Sequence, residues 1–140
     1  MPTLSIIICT KDRAEDMRRT LASIERQSML PDEVVVVDAS KDDQLSELVA
    51  CSSLPILYIS SEPGLTRQRN KGVSAASGDL LVFLDDDVDL VDDCLRAFAD
   101  ALRQNEEEVA AICGRVLNVL PRLDSNKSRL LYVVDKALQR

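Results

Sequence analysis

Three nearly continuous apolar runs, at residues 4–9, 33–37 and 80–84, restrict the fold more than any other feature of the chain. A strand with one face in water alternates apolar and polar residues, whereas one covered on both faces is apolar at successive positions. Runs such as Val34-Val35-Val36-Val37 and Leu80-Leu81-Val82-Phe83-Leu84 therefore predict central strands of a sheet flanked by helices. Between the first two runs the period changes: Ala14, Met17, Leu21 and Ile24 are spaced by three and four, as on one face of a helix. Asp12 and Glu15 form a capping-box pattern ahead of that helix and Pro31 follows it, so residues 4–37 read as a βαβ unit.

The alternation continues. Leu45, Leu48 and Val49 predict a short helix, residues 55–59 a third strand, and residues 67–76 a helix closed by Ser77-Gly78. Val91, Leu95, Phe98 and Leu102 mark an amphipathic helix, and residues 109–116 a further strand before a break at Pro121. Leu130, Val133, Val134, Ala137 and Leu138 carry a helical stripe with nothing after it to cover it. The expectation is one α/β domain with a mainly parallel sheet over residues 1–120, followed by a C-terminal helical segment over residues 121–140. Such a stripe asks for a partner, either a missing C-terminal half or a second copy of the chain in a homo-oligomer.

Composition narrows the choice of function. A net charge of -7 argues against a nucleic-acid or anionic-membrane partner, since either needs a basic face. Aromatic residues make up only 3% of the chain, too few for a platform on which bases or sugars stack. No stretch approaches the roughly 18 apolar residues of a membrane span, and the opening run is too short for a signal-peptide core. Cys9, Cys51, Cys94 and Cys113 lack CxxC spacing and read as reduced thiols, so a cytoplasmic location is expected. An acidic site that binds a cation suits this balance.

In a parallel sheet the ligand site lies outside the carboxyl ends of the strands. Three of those ends carry polar residues: Thr10-Lys11-Asp12-Arg13, Asp38-Ala39-Ser40 and Asp85-Asp86-Asp87. Consecutive carboxylates repel one another unless a cation or hydrogen-bond donors compensate them, and hard oxygens of this kind suit Mn²⁺ or Mg²⁺. The rival reading is a solvated acidic loop that caps the next helix, but a cap needs one such residue rather than three. An EF-hand is excluded, because Leu90 and Arg96 stand where its glycine and closing glutamate belong. The loop after the first strand contains no glycine, which excludes a GxGxxG dinucleotide site. A phosphatase of the haloacid dehalogenase type, with its DxD after an apolar strand, stands as an alternative.

Four patches in order resemble the family 2 glycosyltransferases of the GT-A fold: residues 5–13, residues 33–40, Gly64-Leu65-Thr66-Arg67-Gln68-Arg69-Asn70-Lys71-Gly72, and residues 78–87. The resemblance implies a GT-A-like, Rossmann-like three-layer sandwich, truncated after the donor-binding half. It implies that Thr10, Asp12, Arg13 and Asp38 hold the nucleobase and ribose, although Asp12 also suits a helix cap. Arg69 and Asn70 match the family's Arg-Asn pair against the nucleotide, beside the rival reading of Arg67, Arg69 and Lys71 as a solvated helix face. Gly72 is expected to allow close packing. Asp86 is assigned to the ribose hydroxyls and Asp87 to the metal, with Asp85 in support. The implied reaction transfers a sugar from a nucleoside diphosphate, such as a UDP-sugar, to an acceptor hydroxyl with inversion. With no histidine in the sequence, its general base would be a carboxylate. No segment after residue 87 matches the family's base motif, so this chain is expected to bind donor without turning it over. A non-catalytic nucleotide-binding fragment is the second reading.

Overall fold

The computed structural model describes residues 2–104, 111–114 and 131–135. Four parallel strands form first: β1 (Leu4–Thr10), β2 (Glu33–Asp38), β3 (Ile56–Ser60) and β4 (Leu80–Asp85), alternating with helices α1 (Ala14–Glu25), α2 (Gln44–Ala50) and α3 (Leu65–Ala75). Helix α4 (Cys94–Gln104) and strands β5 (Ala111–Gly114) and β6 (Leu131–Asp135) follow. The sheet order is β3-β2-β1-β4-β6-β5, with β6 antiparallel to both of its neighbours.

The continuous apolar runs form the centre of the sheet, as their patterning requires. Ile6, Ile8, Val34, Val36, Leu80, Val82 and Leu84 pack on one face with Met17, Leu21 and Ile24 of α1, Leu45 of α2, and Leu95, Phe98 and Leu102 of α4. Ile7, Val35, Val37 and Leu81 face the opposite side, where Val73, Ala75 and Ala76 meet them at α3. The result is a three-layer α/β sandwich. Each fully buried Ile, Val or Leu contributes about 1.5–3 kcal/mol relative to exposure, so the central strands dominate the core energy.

Two glycines set the position of α3. Gly64, at φ 144°, takes a backbone conformation closed to other residues and turns the chain into the helix. Gly72 lies against the sheet, where a Cβ would stand 2.5 Å from Ile7 Cγ2 and 3.4 Å from Val37 Cγ2. The close packing expected of Gly72 is therefore present.

Two local expectations are corrected. The capping box at α1 does not form: Arg13 is the N-cap residue, without a side-chain cap hydrogen bond. Asp12 instead adopts φ 56° and donates its N–H to Ser40 Oγ at 2.7 Å, so hydrogen bonding here joins two loops rather than closing one helix. The C-terminal helical stripe is corrected over residues 131–135, which form a strand inserted between β4 and β5, while Leu130, Ala137 and Leu138 lie outside the described residues. A short apolar run fits either period, and pairing with β4 from Leu80↔Asp135 to Phe83↔Tyr132 decides for the strand. The helical surface on which a homo-oligomer was expected is absent over those residues, and the segment shares the sheet of the preceding domain. Pro121 and the flanks of β5 lie outside the described residues.

At the amino end of the sheet, Glu33 Oε1 accepts hydrogen bonds from Ser5 Oγ (2.5 Å), Ser77 N (2.5 Å), Ser77 Oγ (2.8 Å) and Gly78 N (3.3 Å). Burial alone would raise its pKa, but these donors outweigh that effect and hold the carboxyl below the ordinary glutamate range. A glutamate with a lowered folded pKa contributes stability above its unfolded pKa, and the contribution is lost as pH falls through the folded value. Glu33→Gln keeps an acceptor but loses the charge, so its urea midpoint should fall less steeply than the parent's as the pH is lowered from 7 toward 3. Parallel acid limbs for the two proteins would show that Glu33 carries no such linkage.

Candidate functional site

The strand order puts β2 on one side of β1 and β4 on the other, which makes the β1/β4 boundary the topological switch point of the sheet. The carboxyl ends are level there, with Thr10 opposite Asp38, Asp38 opposite Ser60, and Cys9 opposite Asp85. The three polar loops anticipated from the sequence therefore do converge at one edge.

The end of β4 divides the aspartate run, leaving Asp86 and Asp87 in the turn beyond it. Asp85 ends β4 with Oδ1 3.8 Å from Arg69 Nη2 of α3. Asp86 is nearly buried, and its carboxylate accepts from Thr10 Oγ1 at 2.8 Å and from Arg13 Nη1 at 3.2 Å. The same Arg13 nitrogen lies 3.3 Å from Asp87 Oδ2. Burial raises the pKa of Asp86, offset in part by the Thr10 hydroxyl and the Arg13 charge, while Asp86 above all raises that of Arg13. Behind the turn, Thr20 of α1 holds the backbone: its Oγ1 is 2.9 Å from both Asp86 O and Val88 O and accepts from Val88 N at 3.1 Å.

Arginines thus supply the charge compensation that the acidic run demands. Among the described residues no group of three or more His, Cys, Asp or Glu side chains converges on one point to hold an ion. Asp85 and Asp87 nevertheless offer hard carboxylate oxygens, and one or two of these with substrate phosphates is the usual Mg²⁺ shell. The donor set fits a divalent cation that arrives with a diphosphate better than a cage built by protein alone.

A second network joins the loops after β1 and β2. Asp38, 1% exposed, accepts at Oδ1 from Ser40 N (2.8 Å) and Ser40 Oγ (2.6 Å), and at Oδ2 from the Tyr58 hydroxyl (2.7 Å). Burial and the hydrogen bond to Asp38 push Tyr58 up to about 12, which keeps it a phenol donor. Gln68, buried on α3, donates to Thr10 O at 2.9 Å and Val37 O at 3.0 Å and so ties the ends of β1 and β2 together. A polar pocket of about 130 Å³ opens between the loops, lined by Asp12, Arg13, Ala14, Ser40, Asp42 and Gln44. Ligand pockets usually begin near 300 Å³, so this space is too small to enclose a whole small-molecule ligand.

The structure therefore places Thr10, Arg13, Asp86 and Asp87 in one contact set, Asp12 and Asp38 in a second, and Arg69 with Asp85 in a third. Asn70 is exposed on α3. Lys71 is more than a solvated face, since its Nζ donates to Ser60 O at 2.6 Å. Tyr58, Thr20 and Gln68 were not singled out from the sequence. Their signal is a polar group on an otherwise apolar inner face, which marks a buried hydrogen-bond node but not its partner. Cys9, beside the site, is a free thiol pushed up by burial to about 11, so it is no nucleophile at neutral pH.

A family model described as Glycosyl transferase family 2 matches residues 5–134. The chain belongs to that family. Membership decides against the phosphatase alternative. The chain is 35% identical over 86 residues to an uncharacterized glycosyltransferase, YwdF, of Bacillus subtilis, covering 60% of this chain and 32% of that protein. It is 27% identical over 119 residues to the Campylobacter jejuni GalNAc(5)-diNAcBac-PP-undecaprenol beta-1,3-glucosyltransferase, covering 81% of this chain and 38% of that one. The fold is shared with a Pyrobaculum calidifontis mannosyltransferase in complex with GDP-Man and Mn²⁺, at TM-score 0.78 and 21% identity over 98% of this chain and 45% of that one. It is shared as well with S. aureus TarS, at TM-score 0.71 and 20% identity over 97% of this chain and 29% of that one. This family member spans about a third of the length of the curated relatives it matches. Among the described residues no helix is long and apolar enough to cross a membrane.

Proposed function

We propose that this chain forms the donor side of a metal-dependent, inverting glycosyltransferase that takes a nucleoside diphosphate sugar and passes the sugar to an acceptor hydroxyl. The observation that carries the reading is the convergence of Thr10, Arg13, Asp86 and Asp87 at the β1/β4 switch point, beside a small polar pocket. In this reading the base enters the pocket between Asp12 and Ser40, with Asp38 holding Ser40 in place at its wall. Asp86 faces the ribose hydroxyls from its seat on Thr10. Asp87, with Asp85 in support, would hold Mn²⁺ or Mg²⁺ against the diphosphate. The chemistry supplied there is neutralisation of the charge that develops on the leaving diphosphate. Arg69 and Asn70 lie on the α3 side, where the guanidinium can pair with a phosphate or the base edge. Donor binding is the part these residues support, and acceptor-dependent turnover is not expected of this chain alone.

A nucleotide panel measured by thermal shift tests the proposal. UDP or another nucleoside diphosphate should stabilise the protein with Mn²⁺ and not with EDTA. Equal shifts in both would remove the metal from the site, and no shift with any nucleotide would leave a solvated acidic loop. Release of nucleoside diphosphate that rises with acceptor concentration would overturn the donor-only expectation.

A further inference from the structure

We infer that Arg13 is an internal counter-cation that occupies the acidic site until a diphosphate displaces it, and that this exchange couples nucleotide binding to metal binding. The inference rests on the metal site proposed above and adds to it a role for one side chain. A single Arg13 nitrogen spans the two acids, 3.2 Å from Asp86 Oδ1 and 3.3 Å from Asp87 Oδ2. Asp86 is nearly buried and holds its place through Thr10, whereas the Arg13 side chain is 52% exposed and can swing on its stem. A divalent cation arriving alone at Asp87 would meet the guanidinium within the distance at which like charges oppose each other. The cation must then expel Arg13 from Asp87 and leave it Asp86 alone as partner. A diphosphate changes that balance, because its oxygens match the planar guanidinium fork and take over as partner. Arg13 also lines the pocket on the Asp12 and Ser40 side, so one swing carries it from the carboxylates toward the nucleotide.

Coupling of this origin makes Mn²⁺ bind weakly alone and tightly with nucleotide, while its removal should strengthen the binding of metal alone. Titration calorimetry with MnCl₂, with and without UDP, would be run on the parent, Arg13→Met and Arg13→Lys. Arg13→Met keeps an apolar stem over the loop and removes the charge; circular dichroism confirms that each variant is folded. For Arg13→Met we expect tighter binding of Mn²⁺ alone and a smaller enhancement by UDP, the lost coupling being on the order of 5- to 150-fold. Arg13→Lys, which keeps the charge but not the planar fork, should still oppose Mn²⁺ alone while giving a smaller enhancement by UDP than the parent. If the parent binds Mn²⁺ with UDP but Arg13→Met binds Mn²⁺ alone no more tightly than the parent does, the counter-cation role is wrong and the metal site stands. If no variant binds Mn²⁺ with any nucleotide, the metal site falls and this role with it.

Discussion

Asp87→Ala should lose the whole of the metal-dependent stabilisation that a nucleoside diphosphate confers on the parent. At a ligand concentration about 100 times Kd, binding to the folded state alone stabilises by about 2.7 kcal/mol, and the variant should gain none of it with Mn²⁺ present. The variant itself should stay folded, because Arg13 keeps its contact with Asp86 and a partly exposed ion pair contributes only about 0–1 kcal/mol. Asp38→Ala is the contrasting case. Removing that carboxylate strips the acceptor from Ser40 and Tyr58, so the pocket wall loosens while Asp85 and Asp87 are untouched. Nucleotide affinity and base preference should change with metal dependence intact. Urea unfolding of parent and both variants with UDP, in Mn²⁺ and in EDTA, separates the two. A parent-like Mn²⁺-dependent gain in Asp87→Ala would show that the aspartate holds no metal.

Gly72→Ala should destabilise the protein by about 1–3 kcal/mol, the usual cost of forcing extra volume into a packed core. The added Cβ would stand 2.5 Å from Ile7 Cγ2, and Ile7 sits on a central strand that cannot withdraw. Relief comes only if α3 lifts off the sheet. That movement carries Gln68 away from Thr10 O and Val37 O, and Arg69 away from Asp85. The variant should therefore show a lower urea midpoint together with weaker nucleotide binding, although no nucleotide-contacting residue has changed. A parent-like midpoint would mean that α3 does not pack on β1 as described. A loss of stability with unchanged nucleotide affinity would mean that α3 does not position the site.

The sequence alone determined the central strands, because a strand buried on both faces needs apolar residues at successive positions and little else produces that pattern. It located the polar strand ends as well, since Thr10, Asp38 and Asp85 stand directly where each apolar run stops. The resemblance of four ordered patches named the family, which the match over residues 5–134 establishes. Tertiary structure decided the rest. Where each aspartate side chain lies follows from where β4 ends and how the turn beyond it folds, and this separates Asp85 with Arg69 from Asp86 with Thr10. The partners of Asp38 depend on β3 lying parallel to β2 with Val36 opposite Tyr58, a register that no local spacing specifies. Asp12 is not the cap because the helix starts one residue later, with Arg13 at the N-cap, and the N–H of Asp12 goes instead to Ser40, 28 positions away. The C-terminal segment is the clearest case, because an apolar run of that length satisfies helix and strand periods alike. Pairing of Val82 with Val133 across the sheet is a contact between distant residues, and it is such contacts, rather than the neighbours along the chain, that choose between two conformations of nearly equal local preference.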